Sequence, residues 1–258
     1  VTSRHAADQY RRQQVLISAT LSRDVVRLLK NLFNPANPGP SWAAARSVVA
    51  ALVRDQRRRS ADLAARFYRD ARLSAGVSGG FTPAAPLELD EERLVKSLDA
   101  TGIGAFQKSL RAGASPDRAV DRSAVTLSGS ASNLALEGGR SVVDLSVQAD
   151  DEAIGWARVT DADPCPWCLM MASRGAIYRS AGSAGGAKSS RFIGDGDFKW
   201  HNHCGCVAVA VWHDDDPVLK TADDLYDQWL QVTAGHSGRD AVNIWRRYWE
   251  NRDDQPAP

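Results

Sequence analysis

What is absent from this 258-residue chain narrows its class before any motif is read. No apolar run approaches the roughly 20 residues that a membrane-spanning helix needs, so no transmembrane segment is expected. Residues Val1 to Gln14 are polar and basic, without the apolar stretch of a signal peptide. The formal net charge is only +1, far from the excess of a protein that coats DNA. The letters G-x-S-x-G occur once, at Gly76 to Gly80, inside a stretch that reads as a loop and without the strand that a nucleophile elbow needs before it. Cysteine is missing everywhere except between Asp163 and Trp212, where all four fall, and only one of eight tryptophans precedes Asp151. The hydrophobic fraction of 43% and charged fraction of 24% are ordinary for a globular protein able to bury a sizeable core.

The cysteine window reads Cys165-Pro-Trp-Cys168 and, after a Gly/Ser-rich run, His201-Asn-His203-Cys204-Gly-Cys206. Thiolates and imidazoles in two close-spaced groups are a metal-ligand pattern, because two short turns can close a tetrahedron around one Zn²⁺. Two disulfides or four buried thiols are the competing readings, and disulfides require an oxidising compartment. Six donors compete for four positions. Cys204 and Cys206, two apart, share one side of an extended strand, so Cys165, Cys168, Cys204 and Cys206 form the first-choice set, with His201 or His203 displacing one thiolate as the variant.

The small net charge conceals a polarity. Residues 1–72 carry 14 Lys/Arg against 5 Asp/Glu, and residues 213–258 carry 5 against 10. Arg54, Arg57, Arg58 and Arg59 are the candidates for contact with nucleic acid or an acidic partner; a solvated arginine-rich helix face is the alternative.

Hydrophobic periodicity predicts a helix over Arg4 to Phe33, a break at Asn34 to Pro40, and a second long helix capped by Ser41. Leu73 to Leu89 reads as a loop or hinge. A third helix is expected from Asp90 to about Arg111, and a fourth opens at Ser115-Pro116, with Gly138-Gly139 as an interruption. Beyond Asp151 come strands over Ala153 to Val159, Ala176 to Tyr178 and Gly205 to Trp212, a short helix over Pro166 to Ser173, and two tail helices over Ala222 to Val232 and Arg239 to Asn251. The expected fold class is α+β and predominantly helical. Residues 1–150 would form a helical bundle, and residues 151–258 a small zinc-stapled α/β domain followed by two helices.

Trp156-Ala-Arg-Val-Thr160, Asp163-Pro-Cys-Pro-Trp-Cys168 and His201-x-x-Cys204-x-Cys206, in that order, resemble the Mu F-like minor head proteins of tailed bacteriophages, and most closely the branch in phages of actinobacteria. The resemblance implies a virion protein of low copy number, inside the capsid and associated with the portal protein and other head proteins, acting in head assembly or genome delivery. The further expectations are a structural zinc, from the cysteine spacing, host cytoplasm as the place of assembly, a homo-oligomer or contact with packaged DNA as options, and no enzymatic activity. The sequence departs from the family at Asn202, where proline is common, and at Gly205, where arginine is common.

The alternative is a metal-dependent nuclease or a toxin-like effector carried with the genome, for which His203, His213 and Asp197 are the available groups. The contiguous letters His201-Asn202-His203 carry no weight for it, since nucleases of that name draw those residues from separated positions. Gly182 to Ser189 has the composition of a phosphate-binding loop but holds Ala187 where glycine must precede the lysine. Ile193 to Asp197 lacks the full ligand set of a calcium loop. A Cys/His protease would have to share its nucleophile with the zinc site.

Overall fold

A computed structural model describes residues 4–161, 163–176 and 200–251. The strand expected at Ala176 to Tyr178, the Gly182 to Ser189 run, and Asp197 with its turn lie wholly or largely outside these residues. The chain is predominantly helical with one small sheet, and among the described residues no helix is long and apolar enough to cross a membrane.

Helices α1 (Arg4–Leu32) and α2 (Pro38–Ser74) form a long hairpin. α2 begins three residues before the expected cap. Ser41 sits in its first turn, where its hydroxyl accepts from the Asn34 amide at 3.0 Å and donates to the Asn37 carbonyl at 2.8 Å, pinning the loop and not capping the helix. The third expected helix is two: α3 (Glu91–Thr101), for which Asp90, the expected first residue, is the cap, and α4 (Ile103–Arg111). Gly102 divides them because the Trp42 indole occupies the space a side chain would need; a Cβ there would lie 2.0 Å from the ring.

Helix α5 (Pro116–Ala149), capped by Ser115, is the axis of the molecule and is buried along most of its length. Its small residues let neighbouring backbones approach, and its hydroxyls satisfy the polar groups so trapped: Ser132 meets Ser22 of α1 at 2.9 Å and Ser130 meets Ser97 of α3 at 2.7 Å. The expected interruption at Gly138-Gly139 does not occur. α5 runs straight through the pair, and both glycines mark its closest approach to α2, where a Cβ on Gly138 would stand 2.4 Å from the Arg57 carbonyl oxygen. An alanine at a solvated helix glycine gains about 1 kcal/mol. Here Gly138→Ala is expected to cost about 1–3 kcal/mol net, since α2 must move to admit the methyl. Urea denaturation measures it, and a more stable variant would refute the close-approach explanation.

The 77–90 segment is extended and tied to the helices at several points. Arg72 donates to the carbonyls of Val77, Ser78 and Gly79, while Ser146 and Ser141 of α5 accept from the amides of Ala84 and Leu87.

β1 (Gly155–Val159) and β2 (Val207–Val211) pair antiparallel, with Trp156 opposite Ala210 and Arg158 opposite Ala208. Both strands are almost wholly buried, which explains why β2 reads as unbroken Val/Ala and not as alternation. α6 (Pro166–Ala172) precedes the undescribed segment, and the tail supplies α7 (Pro217–Val232) and α8 (Gly238–Glu250). Trp245 of α8 is buried, packs against Trp229 and Trp249, and donates to the Pro166 carbonyl at 2.7 Å, fastening the tail to the start of α6.

Two hydrophobic clusters result. One is helical only, built on Leu21, Val25, Val49, Val53, Leu94, Leu98 and Leu127. The other joins both strands and α6 to Tyr10, Phe67, Tyr68, Val142 and Val147 of the long helices. The cysteine site sits at the edge of this second cluster.

Candidate metal centre

Each half of the site is held by a short local device. Cys165 is the N-cap of α6, with Pro166 at the first helical position, and its Sγ accepts from the Cys168 amide at 3.4 Å. That turn folds Cys168 inward, where it is buried. On the other side, the His201 carbonyl accepts from the Cys204 amide at 3.2 Å, closing a tight turn in which His203 takes a left-handed φ of 61°. Asp161 clasps this turn by accepting from the Gly205 amide at 3.1 Å. A Cβ at Gly205 would lie 2.8 Å from the Asp161 carboxylate and 3.1 Å from Val15, so a side chain there would have to displace the clasp.

The turns bring five of the six expected donors together. Cys165, Cys168 and His201 form one group and Cys168, Cys204 and Cys206 another, with the ligand atoms of each group all within 4.8 Å of one another. Cys168 belongs to both. His201 Nε2 lies 2.9 Å from Cys165 Sγ and 3.3 Å from Cys168 Sγ, and the Cys168 and Cys204 sulfurs are 3.5 Å apart. Sulfurs on a tetrahedral ion of Zn–S length are about 3.7 Å apart, so these spacings suit a common ion. His203 is not in either group. Its ring lies over α5, where a Cβ on Gly129 would be 2.4 Å from its Nε2.

No disulfide links the described cysteines. Crowding sets their protonation. A hydrogen bond from Cys168, supplemented by His201, lowers Cys165 to about 4, and Cys204 is likewise pulled down by its neighbours Cys168 and Cys206. Cys168 is pushed up by the thiolates it serves as donor. Cys206, although drawn down by Cys168, is raised by Cys204 and burial to about 12. His201 rises to about 9 beside Cys165. A divalent ion can occupy such a set by displacing the protons that its raised members hold.

Around the sulfurs stands a shell that sequence reading missed in part. Arg140 of α5 and Arg158 of β1 lie on the Trp200 ring, 3.9 and 3.7 Å from its centroid, and Arg158 Nη1 is 3.9 Å from Cys168 Sγ. Arg158 belongs to the quoted Trp156 to Thr160 strand. Arg140 carries no local signal, because only the passage of α5 beneath the site brings it there.

The four arginines proposed for contact are largely engaged within the chain. Arg57 is buried, contrary to the solvent-facing expectation: from α2 it donates to the carbonyls of Leu134 and Leu87 at 3.0 and 2.8 Å and lies 3.6 Å from Glu137, so its guanidinium is turned onto α5. Arg54 pairs with Glu91 at 2.5 Å. Arg58 and Arg59 both reach Asp55, at 3.5 and 3.0 Å, with their own side chains exposed.

Comparison with known proteins agrees with this geometry in extent. No solved structure matches the chain. The Gene 15 protein of Mycobacterium phage D29 is 26% identical over 241 residues, covering 85% of this chain and 84% of its own length. That span takes in the helical part and the cysteine window together, so the relationship is one of whole chains, and the relative is a protein of an actinobacterial phage. The model of the VG15 protein family matches residues 1–232, from the start of the described helices through α7, and the chain therefore belongs to the VG15 protein family.

Proposed function

We propose that this chain is a minor head protein of a tailed bacteriophage, held inside the capsid at the portal, with Zn²⁺ as a structural staple. The observation that carries the reading is the near full-length similarity to a mycobacteriophage protein; the ordered Trp/Arg/Thr strand and the two cysteine pairs supply the head-protein resemblance. The proposed mechanism is placement. The long helices offer a stiff docking surface, and the metal locks β2 to α6 so that the sheet end keeps one shape during assembly.

The donor chemistry favours zinc over harder cations, because thiolate and imidazole are its preferred ligands and carboxylates are absent from both donor groups. Zinc titration should release protons. At pH 7.5, occupation by the four thiolates displaces the protons of Cys168 and Cys206, the two raised groups, and entry of His201 displaces one more. Affinity therefore rises with pH. Calorimetry in buffers of different ionisation heat counts the protons, and binding with none released would contradict the thiolate set.

Quantitative mass spectrometry on purified particles of the encoding phage tests the placement. A few copies per particle, protected from added protease until the head is opened, is the expected result. Absence from finished particles would overturn it.

A further inference from the structure

Arg140 has an unusual situation for an arginine. It is 4% exposed, and among the described residues it makes no ion pair with a carboxylate. Its Nη2 donates to the carbonyls of both Cys204 and Cys206, at 2.9 and 3.2 Å, and its Nη1 donates to Asn133 Oδ1 at 2.8 Å. Asn133, one helical stretch earlier on α5, also donates to the Trp200 carbonyl at 3.2 Å, and the Trp200 ring covers the guanidinium. A buried guanidinium costs several kcal/mol unless negative charge stands close by. The groups whose negative charge reaches it are Glu137 and, once a metal has taken their protons, Cys204 and Cys206, whose carbonyls it holds.

Resting on the zinc reading above, we infer that Arg140 is the positioning residue of the metal centre: α5 reaches out of the helical bundle to fix the Cys204–Cys206 turn and to offset the charge of the thiolate–metal unit. A tetra-thiolate zinc carries a net charge of −2 and a three-thiolate one −1, so either form needs a cation in a buried setting. Arg140 meets that need from a distant segment. One Nη2 bridging two carbonyls also sets the spacing of the two ligands, since the segment leading into β2 cannot twist there without breaking a hydrogen bond. Metal affinity is thereby coupled to the packing of α5.

The test compares the full-length chain with Arg140→Gln, Arg140→Lys and Asn133→Ala, using zinc competition against a chromophoric chelator and cobalt(II) spectra. Outer-shell partners of metal ligands typically govern affinity by about 10–100-fold. Arg140→Gln is expected to bind zinc more weakly by that factor, Arg140→Lys to recover part of the loss by restoring the charge, and Asn133→Ala to weaken binding in the same direction. The cobalt d–d bands should keep their pattern in all three, because the ligands are unchanged. The sulfur-to-cobalt charge-transfer band should move in Arg140→Gln, a shift that loss of packing alone would not produce. Wild-type zinc affinity in a folded Arg140→Gln protein overturns the inference; if that variant does not fold, wild-type affinity in Asn133→Ala overturns it. A parent chain that binds neither zinc nor cobalt instead removes the staple itself, a separate failure.

Discussion

A Cys168→Ser chain is expected to purify without zinc and to lose protection across the sheet end of the molecule, the largest effect of any single substitution in this protein. Cys168 is the donor common to both ligand groups, so its loss breaks both, whereas Cys165→Ser or His201→Ala leaves the Cys168, Cys204 and Cys206 group whole. Structural zinc supplies on the order of 10 kcal/mol of folding free energy in small zinc peptides. Here part of that is offset by apolar contacts that persist without metal. Trp156 and Val209 would stay in reach of Val143 and Tyr68 in the shared core.

The pattern of unfolding is the sharper readout. Hydrogen exchange should accelerate in β1, β2 and α6 on mutation or on chelation of the parent protein. Amides around Val49, Leu94, Leu98 and Leu127, in the all-helical cluster, should keep their slow exchange. Cys168→Ser protein with about one zinc per chain and unchanged exchange would show that Cys168 is a core thiol and not a ligand. Equal acceleration in both clusters would show that the two cores open as one unit.

How far such behaviour was legible in the sequence differs by element, for physical reasons. The strand pair, α6, the tail helices and the caps at Asp90 and Ser115 follow from local patterns, and local patterns decide them: Pro166 cannot sit inside a helix but can open one, and unbroken Val/Ala at 207–211 has nowhere to go but a buried strand. The gathering of cysteines was legible because turn spacing itself brings ligands together. What escaped depends on neighbours remote in sequence. A Gly-Gly pair is a helix breaker in isolation, yet Gly138 and Gly139 are needed where α5 meets α2. Gly102 is the reverse, a lone glycine that looks tolerable within a helix but divides two because Trp42 fills its place. Arg57 sits in an arginine run and reads as solvated; the carbonyls of Leu134 and Leu87 that draw it inward lie 77 and 30 residues away. Arg140 belongs to this class too.

Asp150→Ala should destabilise the chain by about 3–5 kcal/mol at neutral pH, the range for removing one member of a buried ion pair. Asp150 lies where α5 ends, with its side chain 2% exposed. It accepts from Arg72 Nε at 3.0 Å, from the Tyr68 hydroxyl at 3.1 Å and from Trp212 Nε1 at 3.1 Å, so one carboxylate ties α2, α5 and the residue after β2. Truncation strands a buried guanidinium, a phenol and an indole together. Burial alone would raise the Asp150 pKa, but the hydrogen bonds from Arg72, Trp212 and Tyr68 outweigh it and hold the carboxyl below the usual range. A group depressed on folding contributes stability that is fully present above its unfolded pKa, near 4, and is lost as pH falls through the folded value. The parent protein should therefore surrender this contribution only below about pH 4, and Asp150→Asn, which keeps the shape but not the charge, should show a flatter acid limb. Urea titrations at pH 7 and at a series of acid values read both quantities. A loss under 1 kcal/mol in Asp150→Ala, or acid limbs that superimpose, would mean that the sheet is moored to the helices by apolar packing alone, with Tyr68 against Trp212 at 5.2 Å as its main contact.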